Sequence, residues 1–232
     1  MANDYDDFAQ GVPWAFPRDK TISSRMMLGV YGDHFPLSDQ FQQTYPTLTT
    51  LLQKARITEL SIGDVKTLLL GWTDDEGNSL GWQSVLPLKA DTSISIHPTH
   101  QILLQGFGGI LERWNEHEDT FLLNLNCALG EDALSVGFND WDDYITKTLA
   151  YHGRTPTVDS SQYRTFALEA NGDCTAYDIA TGRVLLFAHD HSFDNVQPLE
   201  GYSEYTLYTI NGITQFTDWV EAVSEQWLQR IA

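Results

Sequence analysis

Hydrophobic positions recur along this chain with two different periods, and the C-terminal third shows the change between them most clearly. Tyr163–Ala170 and Cys174–Ile179 are strand-like runs separated by Asn171-Gly172, a pair suited to a hairpin turn that needs positive φ. Thr181-Gly182 marks a further turn. The unbroken apolar run Val184–Ala188 that follows fits a strand covered on both faces. Beyond a polar loop, Asn211-Gly212 predicts a last hairpin. Phe216, Trp219, Val220, Val223, Trp227 and Ile231 then fall on one helical stripe, with Thr217 placed to cap it.

The same reading extends upstream. Residues 38–56 are helical in pattern around Leu48, Leu51, Leu52 and Ala55, with Pro46 limiting how early that helix begins. Three strand-like runs follow, Ile57–Ile62, Val65–Trp72 and Leu80–Leu88, the last two separated by the turn Asp74-Asp75-Glu76-Gly77-Asn78. Pro98 opens a helix through Ile102, Leu103 and Leu104 that ends at Gly108-Gly109. Ile110–Trp114 and Thr120–Leu125 read as short strands. Trp141–Leu149 reads as a helix with Asp140, Asp142 and Asp143 at its N-terminal end, where the macrodipole favours negative charge. Residues 1–35 lack periodicity and predict an irregular arm, leaving 36–232 as a single domain. The expected class is α+β: a mostly antiparallel mixed sheet, flanking helices and an amphipathic C-terminal helix.

Charge narrows the range of partners. Among 232 residues, 32 are acidic and 13 basic, a net charge of -19. Such a chain is repelled by nucleic acid and by anionic membranes and attracts basic proteins. Solubility alone would also account for it. Cys127 and Cys174 lack metal-ligand spacing and predict reduced, buried thiols. The opening residues include Asp4, Asp6 and Asp7, unlike a secretion signal, and no apolar run approaches the ~20 residues of a membrane span. The expectation is a cytoplasmic protein.

Candidate chemistry is sparse. His189-Asp190-His191, followed by Asp194, offers imidazoles and carboxylates for a divalent metal or an acid–base pair, and a metal-dependent hydrolase built on them is one alternative. The competing reading is a loop in which these side chains cap turns and bond to backbone. His97 and His100 have the i, i+3 spacing of helix ligands and serve equally as a helix entry. Gly106-Phe107-Gly108-Gly109 lacks the Lys-Ser/Thr of a phosphate loop. No serine sits in a nucleophile elbow, and neither cysteine has an activating cation beside it. The residues therefore predict no catalytic centre, metal or cofactor. Acidic density is more suggestive: Glu112, Glu116, Glu118, Asp119, Asp140, Asp142 and Asp143, with Trp114 and Trp141 as apolar anchors, form the predicted partner-binding set.

Short motifs add a family likeness. His97-Pro98-Thr99-His100-Gln101-Ile102-Leu103-Leu104, then Phe107-Gly108-Gly109, resembles the helix and Gly-Gly element of the SUKH superfamily. Tyr177 to Val184 is similar to that family's hairpin across a Thr-Gly turn. The run from Leu186 to Asp190 and the stretches Phe216–Val220 and Gln226–Leu228 are similar too. The likeness covers roughly residues 93–232. It implies an α+β fold without catalytic machinery, used for protein binding. Bacterial members are commonly immunity proteins that neutralise toxins, many of them nucleases, and fungal relatives regulate cell-wall assembly through protein contacts. On that reading the partner is a basic toxin domain, and a regulatory scaffold is the alternative.

Overall fold

The computed structural model describes residues 3–89, 92, 94–116, 125–190 and 194–231. The N-terminal half contains α1 (Asp4–Gly11), β1 (Ile22–Val30), α2 (Tyr31–His34), α3 (Asp39–Thr44), α4 (Pro46–Lys54), β2 (Arg56–Ile62), β3 (Val65–Thr73), β4 (Ser79–Ser84), α5 (Pro98–Gly106) and β5 (Glu112–Trp114). After it come β6 (Leu125–Ala128), β7 (Ser135–Val136), α6 (Asp142–Tyr151), β8 (Tyr163–Glu169), β9 (Cys174–Asp178), β10 (Val184–Phe187), β11 (Val196–Pro198), β12 (Leu207–Ile210) and α7 (Phe216–Leu228). One sheet runs β1-β2-β3-β4-β5. The other runs β11-β12-β10-β9-β8-β6, with β7 also on β8. Every described strand pair is antiparallel, and the fold is α+β with a C-terminal helix.

Side-chain alternation explains the two-faced strands. In β3, Leu68, Leu70 and Trp72 enter the largest apolar cluster, while Leu69 faces the opposite way beneath Phe8 and Val12. In β10, Val184 and Leu186 enter that same large cluster, whereas Leu185 and Phe187 meet Ile145 and Leu149 of α6. The unbroken apolar runs are thus strands with packing on both faces. The large cluster is shared by both sheets and by α4, α5 and α7. From α7, the Glu221 carboxylate accepts from the Thr47 and Leu48 amides at 2.8 and 3.3 Å, capping α4 from a distant part of the chain.

Several boundaries depart from the sequence reading, each for a physical reason. The segment expected as an irregular arm over 1–35 is ordered in its described part, from residue 3: α1 lies over the first sheet with Phe8 fully buried, and β1 pairs with β2 from Ile22↔Ile62 to Met27↔Ile57. Their periodicity is faint because α1 buries only Asp4 and Phe8, and most of β1 is exposed. The helix expected over 38–56 is divided at Tyr45, where Pro46 starts α4. β4 stops at Ser84, short of Leu88. Thr120 to Asn124 lie outside the described residues, and the strand there is Leu125–Ala128. Asn211-Gly212 does turn the chain, but it delivers β12 into α7 and makes no two-strand hairpin. Thr217 is not the cap of α7: Asp218 Oδ2 accepts from the Thr214 and Gln215 amides at 3.0 and 2.9 Å.

Gly108 and Gly109 carry the chain from α5 between the two sheets. A Cβ on Gly108 would stand 2.3 Å from the Val85 carbonyl oxygen, and one on Gly109, at φ +101, would stand 2.2 Å from the Gly130 nitrogen. Immediately afterwards Ile110 bridges to Ala128.

Candidate functional site

The first surface of interest is built by α1. Gly71 and Gly81 are direct partners across β3 and β4, and Gly81 is paired in turn with Trp114. A Cβ on Gly71 would strike the Asp4 carboxylate, and one on Gly81 would strike the Trp114 ring. These paired glycines hollow the sheet and seat both groups. Arg56 Nε and Nη2 donate to the two oxygens of Asp4 at 3.1 and 2.7 Å, and Ser79 Oγ donates to Oδ1 at 2.7 Å. Trp114 Nε1 donates to Ser79 Oγ at 3.2 Å. Phe8 closes over the Trp114 ring with centroids 5.5 Å apart.

This layer places carboxylates around an open groove of about 810 Å³. Asp6 and Asp7 of α1, Asp74 and Glu76 of the β3–β4 turn, and Glu116 beyond β5 line it with Asn3, Gly77, Asn78, Ser79 and Asn115, and among the described residues neither lysine nor arginine lines it. Arg113 forms an ion pair with Glu116. Burial raises the Glu116 carboxyl above its ordinary range, and Arg113 partly offsets this. Toward the other end of α1 and β5, Trp14 is 68% exposed and donates from Nε1 to Glu112 Oε1 at 2.9 Å.

The expected binding residues fall into different settings. Glu112 orients Trp14, and Glu116 faces the groove. Trp114 is not a surface anchor: it is 2% exposed, because the bulky ring fills the trough that Gly81 opens. Glu118 and Asp119 lie outside the described residues. Asp140 and Asp143 are exposed at the start of α6, and Asp143 approaches Lys147 at 3.7 Å. Asp142 and Trp141 are half-buried over the second sheet. Trp141 donates to the Gly172 carbonyl at 2.9 Å and stacks on His189 with centroids 4.5 Å apart. Sequence reasoning missed Trp14 entirely. Its one signal was a tryptophan after Pro13 with no apolar periodicity around it.

Beneath Trp141 lies a second cluster. His189 Nδ1 meets buried Asp173 Oδ1 at 2.6 Å, and the His189 amide donates to the same oxygen at 3.0 Å. Asp190 Oδ2 lies 3.9 Å from His189 Nε2. Asn171 Nδ2 donates to Asp173 Oδ2 at 3.0 Å and Asp190 Oδ1 at 3.1 Å. Donor atoms of Asp173, His189 and Asp190 lie within 4.8 Å of one another. The two carboxylates face opposite nitrogens of the ring, Asp173 at Nδ1 and Asp190 toward Nε2. His191 lies outside the described residues. His100 belongs to neither cluster. It is fully buried, with Nε2 2.8 Å from the Leu129 carbonyl oxygen and Nδ1 2.9 Å from the Tyr177 hydroxyl. The carbonyl requires the proton on Nε2, so Tyr177 donates to Nδ1. Burial lowers its pKa to about 4.

Glu169 adjoins this cluster. Burial, reinforced by the Asp173 charge, raises its pKa from 4.5 to about 8. A carboxyl whose folded pKa is raised binds its proton more tightly in the folded state, so stability falls as pH rises through about 4.5 to 8. Glu169→Gln should therefore gain stability over the parent as pH rises across that window, with a limiting slope of about 1.4 kcal/mol per pH unit. Urea denaturation of both proteins at pH 5 and pH 8 checks this, and a difference independent of pH would refute it.

Comparison with protein-family models, with curated proteins and with solved structures finds no match for this chain. Among the described residues no helix is long and apolar enough to cross a membrane.

Proposed function

We propose that this chain is a non-catalytic protein-binding module that engages a basic partner, acting in the cytoplasm as an immunity protein of the SUKH kind. The observation that carries this reading is the groove beside α1, lined by Asp6, Asp7, Asp74, Glu76 and Glu116 and, among the described residues, by no lysine or arginine. Trp14 supplies what the sequence had assigned to Trp114: an exposed indole, held in orientation by Glu112. An exposed tryptophan toward one end of α1 and a carboxylate-lined groove at the other together supply an apolar anchor and a charge that steers encounter. Bound there, a toxin domain would have its cationic substrate cleft covered without turnover, and the charge of -19 would accelerate association at low salt.

Affinity capture from the native host lysate, at low and then high salt, tests the proposal. The parent chain should retain a basic protein that salt releases. Trp14→Ala should weaken retention by roughly tenfold or more, and the double variant Asp6→Lys, Glu76→Lys should abolish it while the circular dichroism spectrum is unchanged. Equal retention by all three proteins would place the contact elsewhere and remove this face from the proposal.

A further inference from the structure

We infer that one end of the second sheet holds a binding site for a free α-amino acid with an aliphatic side chain, separate from the acidic groove. An open pocket of about 390 Å³ lies there and shares no lining residue with that groove. Its floor is a row across three strands. Tyr163 of β8 is paired with Asp178 of β9, and the Asp178 amide donates to the carbonyl of Arg183, just before β10, at 2.9 Å. Directly opposed residues share a sheet face, so these three side chains stand in line on the face that carries α6. Among the described residues none from α6 lines the pocket, which leaves the row open.

Two loops wall the pocket, and one side chain fastens them to each other. Thr157 and Val158 belong to one wall, Leu199 and Glu200 to the other. The Tyr202 hydroxyl, from the loop that carries Glu200, accepts from the Thr157 and Val158 amides, both at 2.9 Å. The Tyr202 amide in turn donates to the Leu199 carbonyl at 2.8 Å. The walls are thereby set before a ligand arrives, which lowers the ordering cost of binding.

Polar groups that open into this space lack partners. Tyr163 is 7% exposed, with its ring 5.2 Å from that of Phe138, and among the described residues nothing bonds to its hydroxyl. A tyrosine buried to that extent usually finds a hydrogen bond. Burial and the Asp178 charge raise its pKa, with Arg183 partly offsetting them, so the phenol remains a donor. Among the described residues the Arg183 guanidinium and the Glu200 carboxylate likewise make neither hydrogen bond nor ion pair. The other carboxylates are already engaged. Asp178 Oδ1 accepts from the Ala180 and Thr181 amides at 3.0 and 2.8 Å, and Asp159 Oδ1 accepts from the Ser161 amide at 3.1 Å.

Charge of both signs selects the ligand. Asp159, Asp178 and Glu200 repel a simple anion, and the unpaired Arg183 disfavours a simple cation. An amino acid answers both. Its carboxylate pairs with Arg183 and accepts from Tyr163, its ammonium meets Glu200, and an aliphatic side chain lies against Val158 and Leu199.

Isothermal titration of the full chain with L-leucine should show a single site. N-acetyl-leucine lacks the ammonium and leucine amide lacks the carboxylate, so each should bind roughly tenfold or more weakly. Arg183→Gln should weaken leucine binding and leave leucine amide unchanged. Glu200→Gln should weaken leucine binding and leave N-acetyl-leucine unchanged. Both residues are exposed, so both variants should keep the parent circular dichroism spectrum. No binding of L-leucine at millimolar concentration would overturn the inference. So would equal binding of leucine and its two blocked forms, or affinities that neither substitution alters.

Discussion

Arg56→Ala should destabilise the protein by about 3–5 kcal/mol, the cost of leaving a buried charge without its partner. Asp4 is 1% exposed, and its two oxygens are held by Arg56 and Ser79 in the hollow above Gly71. Removal of the guanidinium leaves that carboxylate in the sheet with a single hydroxyl donor. The reverse change is milder. Asp4→Ala leaves an arginine side chain that is 35% exposed and still donates to Thr73 Oγ1 and the Trp72 carbonyl, both at 2.7 Å. Arg56→Lys should not rescue, because an ammonium cannot make the two-pronged contact. Urea denaturation of the three variants tests this ordering. Equal, small losses for Arg56→Ala and Asp4→Ala would show that the ion pair does not hold α1 in place. Since α1 forms one wall of the groove, Arg56→Ala should also weaken capture of a basic partner, although Arg56 does not line the groove itself.

Trp227→Ala should cost about 3–5 kcal/mol through the cavity it opens. Trp227 lies in the last turns of α7, with its ring 5.5 Å from Trp72 and 5.0 Å from Trp82, and those two are 5.1 Å from each other. All three are at most 2% exposed. The cluster joins the C-terminal helix to β3 and β4, so the loss should appear as lowered global stability. Trp14→Ala provides the contrast: an exposed tryptophan should change stability by no more than about 0.5 kcal/mol while weakening partner capture. Denaturation followed by circular dichroism, which does not rely on the deleted indole, separates the two. A Trp227→Ala loss as small as that of Trp14→Ala would mean that α7 is not fastened through this cluster.

Legibility followed how directly local chemistry constrains the backbone. The β8–β9 and β9–β10 turns were readable because Gly172 and Gly182 occupy φ of +94 and +74, conformations that few residues other than glycine or asparagine accept. The α7 stripe was readable because Phe216, Trp219, Val220, Val223 and Trp227 all face the core. The N-terminal segment was not, since α1 is secured by a carboxylate and a single phenylalanine in place of an apolar stripe. The acidic region from Glu112 to Asp143 was visible as composition, but its described members are spread over β5 and the residue pair beyond it, in the first sheet, a short turn at Glu131 and Asp132, and the start of α6, over the second. Trp114, expected as a surface anchor, is buried while Trp14 is exposed, because burial depends on what lies across the sheet. Gly81, far from Trp114 in sequence, makes the space.

By itself, the sequence determined the local grammar of this protein: an α+β class, the two-sided strand β10, the glycine turns and the amphipathic C-terminal helix. Each of these is decided by the φ, the periodicity or the hydrogen-bonding capacity of neighbouring residues. Only the tertiary structure decided which acidic residues share a groove, which tryptophan faces solvent, and how His189 is held between Asp173 and Asp190. Those outcomes depend on contacts between residues distant in sequence, such as Asp4 with Arg56 and Trp14 with Glu112, for which the pattern of polar and apolar positions carries no signal.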